Sequence, residues 1–139
     1  MKRLMFAVAI LLTATVHAGE LKLELAGKGM AGNEVRIAIY NANAPEQFPS
    51  DQSFYRGLVS ETKEDRLTVI VPDLPPGKYA VAAYVDDNRN GRQDTNFLGM
   101  PKEIYGFSNN ARGMFGPPDF TAAAFEIGEN IVTVSIHLH

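Results

Sequence analysis

The 139-residue sequence contains no cysteine, so disulfide stapling and attachment of a lipid to a cysteine are both excluded. Positive charge is also short. The formal charge is −3, and setting aside Lys2 and Arg3 takes it to −5. Nucleic acid and anionic lipid need a basic face, so neither fits as a partner. Outside His17 the only histidines are His137 and His139. No segment sustains a helical period, and no apolar run reaches the roughly 18 to 20 residues that span a bilayer.

What is present begins with a leader. Lys2 and Arg3 precede an apolar run from Leu4 to Val16, and Val16-His17-Ala18 is a small-residue cleavage triplet. That layout predicts a secretory signal peptide over residues 1–18, cleaved near Ala18. The expected product is periplasmic or secreted and is not an integral membrane protein. Residues 19–139 then form a single domain, large enough to fold without crosslinks.

Within it the apolar pattern has period two. Leu21, Leu23 and Leu25 alternate with Lys22 and Glu24; Val35, Ile37 and Ile39 share one face. Leu67, Val69 and Val71 repeat the pattern, as do Val132, Val134, Ile136 and Leu138. The run from Tyr79 to Val85 is apolar on both sides, which suits a central strand covered on both faces. A further strand is expected over 54–59. Prolines in "DLPPG" end one strand before the central one starts. Only "PPDFTAAAFEIG" offers a helical turn, with Asp119 as N-cap. These features predict an all-β, Ig-like or prealbumin-like antiparallel sandwich of about seven strands.

The rhythm breaks from Asp86 to about Ala124. Long ordered connections are usually functional, and Phe97, Tyr105, Phe107, Phe115 and Phe120 argue for a folded excursion rather than disorder. It opens with "VDDNRNGRQDTNFLG". Calcium takes six to eight oxygens from a tight loop with a glycine at its bend. Counting from Asp86 places Asp86, Asn88, Asn90, the Arg92 carbonyl and Asp94 at ligand positions, with Gly91 at the turn. The bidentate acid expected at the twelfth position is Phe97, so Glu103 or Asp119 must supply it. Asp86, as first ligand, is expected to be indispensable to stabilisation by calcium. The competing account is a polar β-hairpin turned by Asn90-Gly91.

The segment from "DLPPGKYAV" through "NGRQDTNFLGMPKE" and "YGFSNN" to "FGPP" resembles an uncharacterised bacterial family catalogued as domain of unknown function twenty-one forty-one. The resemblance covers most of residues 19–139 and implies an exported protein of Gram-negative bacteria. More loosely, "LPPGKYAV" before an Asn-Gly loop is similar to prealbumin-like modules and to adhesin B-type repeats. Some of those repeats carry a calcium loop that matches here at Asp86, Asn90, Gly91 and Asp94. This chain departs from them in lacking an isopeptide-forming Lys and Asn arrangement, and in having Val85 where many relatives would carry His.

Other constellations are thinner. Ser108 lacks the second glycine of a nucleophile elbow. His137 and His139 supply two ligands, which do not complete a metal site. Tyr105, Phe107, Asn109 and Asn110 could form a sugar-stacking or partner-binding surface, or the aromatics could be a second small core. Three function classes follow. The first is an exported non-enzymatic module with a weak calcium loop that orders a binding surface for an envelope protein or glycan. The second is a carboxylate-dependent hydrolase of extracellular polymer, with Glu103 and Asp119 as the paired acids. The third, a carrier of apolar ligands, requires a pocket between the sheets, and the large inward residues give no hint of one.

Overall fold

The structure is a computed structural model that describes residues 8–12 and 17–139; most of the expected signal peptide lies outside the described residues. Eight strands form two sheets. The smaller has the order β4-β1-β8, where β1 is Gly19–Ala26, β4 is Arg66–Leu74 and β8 is Ile131–His137. The larger has the order β3-β2-β5-β6, from Arg56–Glu61, Glu34–Asn41, Gly77–Asp86 and Tyr105–Phe107, with β7 (Phe125–Ile127) also pairing β5. Among the described residues no helix is long and apolar enough to cross a membrane.

The alternation seen in sequence is the alternation that folds. Leu21, Leu23, Leu25, Val134 and Ile136 face Val35, Ile37, Ile39, Val81 and Val85 in one core between the sheets. Burying side chains of this size contributes roughly 1.5–3 kcal/mol each before the entropy cost of ordering them. One pair is not antiparallel: β1 runs parallel to β8, from Glu20↔Ile131 to Ala26↔His137. Alternation fixes which face is inward but carries no strand direction.

β5 is covered on both sides, as its composition predicts. Tyr79, Val81, Ala83 and Val85 enter the main core, while Ala80 enters a second cluster with Tyr40, Phe48, Phe120 and Ala123. This second core pins part of the excursion to the outer face of the larger sheet. The helix α1, Phe120–Ala123, is held there by Asp119, whose Oδ1 accepts from Ala122 N at 2.9 Å. The expected burial of Phe97 and Phe115 is corrected: they are 95% and 99% exposed. The second core is filled without them.

Two short strands lie in or beside the segment read as strandless. β6 and β7 both attach to the β5 edge opposite β2, at Ala82–Tyr84 and Gly77–Tyr79 respectively. Each has three residues, too few to show a period.

Candidate cation site

The acidic loop starts where β5 ends. Asp86 is the last strand residue, on the outer face with Tyr84 and opposite Glu34. It is fully buried. Its Oδ2 accepts from Arg36 Nε and from Gly91 N, both at 2.8 Å, and its Oδ1 accepts from Asn90 N at 3.2 Å. Burial alone would raise the Asp86 pKa, but the Gly91 amide, Arg36 and the Asn90 amide outweigh it and hold the carboxyl below the usual range. Asp86 is therefore the hub on which the loop closes. The expectation that it is the first ion ligand is corrected, because strand burial points it at Arg36 and at loop amides.

The hairpin account is corrected as well. A type I′ turn at Asn90-Gly91 needs positive φ at both residues. Gly91 has φ 77°, but the other positive value in the loop belongs to Arg89, at 56°. Instead Asn88 and Asn90 accept through Oδ1 from Asn90 N (3.3 Å) and Arg92 N (2.9 Å), as in Asx-turns.

Three carboxylates do converge. Oxygens of Asp87, Asp94 and Glu103 lie within 4.8 Å of one another, the one such acidic or imidazole group among the described residues. Glu103 arrives because Val85 N pairs with Ile104 O at 3.0 Å, which brings the returning chain alongside the end of β5. Its two oxygens accept from Asp87 N (2.9 Å) and Asp94 N (2.8 Å), and it is 6% exposed. Burial, with the nearby Asp94 charge adding to it, pushes the Glu103 pKa above the ordinary value despite those amides. The Asp94 carboxylate takes the side-chain amides of Asn88 and Asn90, the latter at 2.7 Å.

Of the expected ligands, Asp94 and Glu103 thus meet, Asn88 and Asn90 brace Asp94, and Asp86 stands apart. Arg92 donates its amide to Asn90 Oδ1 at 2.9 Å. Asp87 was missed because a count in steps of two from Asp86 passes over it. It is the first residue beyond the strand, and its exposure next to Asp86 is the signal that could have found it. Asp119 caps α1 and lies outside the cluster.

The remaining candidates have structural partners. Ser108 is buried, accepting from Val81 N at 2.9 Å and donating to Ala123 O at 2.6 Å, so its hydroxyl is a structural tie. Asn109 donates to Ala122 O and Ala124 O, and Asn110 accepts from His137 N at 2.9 Å, so these amides fasten the excursion rather than offer a free surface. The His137 and His139 rings stack at 5.9 Å.

Two packed sheets over one core, with an acidic loop closing on the end of the central strand, define a β-sandwich module with a candidate cation site. The chain belongs to a bacterial family described as "Uncharacterized protein conserved in bacteria (DUF2141)", whose model matches residues 28–135. Among solved structures it is similar to a pilus-presented adhesin, Cpa, at 14% identity and a TM-score of 0.31. That match covers 87% of this chain and 27% of the adhesin, so the chain spans about a quarter of that protein's length. No curated protein matches it.

Proposed function

We propose that this protein is an exported, non-enzymatic β-sandwich module whose acidic loop binds calcium and thereby fixes the excursion beside it. The supporting observation is the convergence of Asp87, Asp94 and Glu103 within 4.8 Å, with no basic side chain among the described residues paired to them. Three carboxylates this close repel one another, and a divalent cation relieves that repulsion. An all-oxygen donor set on an irregular loop suits calcium, which tolerates variable geometry, better than magnesium, which demands a near-ideal octahedron. The hydrolase reading loses support, since Asp119 is a helix cap and the three acids meet at one point rather than across a cleft.

With affinity in the weak extracellular range, on the order of 10⁻⁴ to 10⁻³ M, calcium at about ten times Kd adds about 1.4 kcal/mol of stability. For a domain of this length that raises Tm by roughly 5 °C. Differential scanning calorimetry of residues 19–139 with calcium, magnesium and chelator tests it. The expected result is a calcium-selective rise that Glu103→Gln removes. Identical melting curves with calcium and with chelator would end the proposal.

A further inference from the structure

The outer face of the larger sheet carries a second feature, which the acidic loop borders through Gly91, Gln93 and Thr95. Gly57, Ala38 and Ala82 are in register across β3, β2 and β5, and Phe107 on β6 follows in the same row. On one face of a sheet, residues two apart on each strand are neighbours. Ala38 and Ala82 therefore leave a trough between larger side chains, closed at the Gly57 end by the Phe54 ring, which lies over that glycine. Arg36 and Tyr84 wall it on one side, and Tyr40 stands on the other. Excursion segments containing Leu98, Met100, Met114 and Phe115 complete a cavity of about 980 Å³. That volume is at the upper end of the roughly 300–1,000 Å³ usual for small-molecule sites. The four roof side chains are 60–99% exposed, and apolar exposure clustered at the mouth of a cavity marks a ligand site.

The charges lining the trough choose the ligand. They are Arg36 and Asp51. Arg36 is committed, with Nε on Asp86 at 2.8 Å and a terminal nitrogen 2.5 Å from Glu34. Arg89 lies 3.5 Å from Glu34 and also pairs with Glu61, so three carboxylates face two guanidinium groups and Arg36 has no charge to spare for a ligand. Among the described residues Asp51 has no cationic partner, and its Oδ2 accepts the Gln93 amide at 3.1 Å. It lies close enough to Tyr40 and Tyr84 to reinforce burial in pushing both hydroxyl pKa values up. Both tyrosines are buried, so it is the unpaired carboxylate that favours a positive group.

We infer that this trough binds an elongated amphiphile with a cationic amine or quaternary ammonium head, its apolar body over Ala38 and Ala82 and against Phe54, and its head at Asp51. The site lies outside the sandwich, whereas a carrier was expected to need a pocket between the sheets.

Isothermal titration with decyltrimethylammonium, decyl sulfate and decyl maltoside, each well below its micelle concentration, tests the inference. Decyltrimethylammonium is expected to bind with sub-millimolar Kd, at least about tenfold tighter than decyl sulfate. Asp51→Asn keeps an acceptor for the Gln93 amide and is expected to weaken only the cationic probe, about tenfold. Ala82→Leu fills the floor and is expected to abolish binding of every probe while circular dichroism stays unchanged; if it unfolds the protein, Val59→Trp at the trough edge serves instead. Equal binding of the three head groups, absence of binding, or an Asp51→Asn protein with unaltered preference would overturn the inference. Chelator in a parallel titration separates this site from the cation loop, because the inference requires binding without calcium.

Discussion

Replacing Asp86 by Asn changes almost no volume and removes the charge on which the acidic loop closes. In the wild type the two oxygens take three donors, Arg36 Nε, Gly91 N and Asn90 N. An amide offers one oxygen, so its NH₂ group must face at least one of those donors. Removing one partner of a buried pair costs about 3–5 kcal/mol, and the low end applies because Arg36 keeps Glu34 and its side chain is 30% exposed. A loss of about 3 kcal/mol lowers Tm by roughly 12 °C in a domain of this size. Urea unfolding from pH 3 to 7 measures it. Because the folded pKa of Asp86 is depressed, its contribution is complete above the unfolded value of about 3.9 and is lost as pH falls through the folded value. Wild type and variant should therefore differ fully at pH 5–7 and converge below about pH 4. Calcium should still raise Tm in the variant, since Asp86 is not in the carboxylate cluster. A difference under about 0.5 kcal/mol at pH 7, or one that persists undiminished at pH 3, would refute the hub.

Gly106→Ala places a Cβ 2.5 Å from His137 O and 2.9 Å from Ile136 and Leu138 carbons, so β6 must move off β8. A loss of about 3 kcal/mol and faster exchange of the amides at Ala82–Tyr84 are expected. Ser108→Ala orphans the buried Val81 amide and should lower stability by about 2 kcal/mol, read from the urea midpoint. Glu103 has the opposite sign to Asp86. Its raised pKa means that, without calcium, the fold gains stability as pH falls through that value, fully so below the unfolded pKa of about 4.3. The calcium-induced rise in Tm should shrink over the same window, because proton and cation compete for one carboxylate; a rise that is constant across it would count against Glu103 as a ligand.

Five strands were legible because each is long enough for alternation to repeat, and Leu21–Leu23–Leu25 or Val35–Ile37–Ile39 cannot be buried any other way. β3 sits two residues later than expected, since its bounds are set by pairing with β2 through Glu34↔Glu61 rather than by its own side chains. β6 and β7 exist because β5 has a free edge to fill, which is tertiary information. In the site, composition located the acidic loop correctly, and Asp94 and Glu103 meet as a calcium loop would require. The exchange of Asp86 for Asp87 depends on where β5 stops, and one residue reverses which way a carboxylate faces. Arg36 was invisible for a similar reason. A charged residue amid apolar neighbours on β2 reads as a solvated position until Asp86 is seen in the strand beside it.

β6 and β7 clip to different stretches of a single edge of β5. The chain between Asp86 and Phe125 is therefore a panel fastened at both ends, and through Ile104 and Gly106 it also helps to close the sandwich. Exchanges in its outer arms, at 96–100 and 112–117, are expected to leave every strand register unshifted, whereas Gln93 and Asp94 are tied to Asp51 and Glu103. A panel of different sequence grafted onto this frame should fold wherever the two clips are retained.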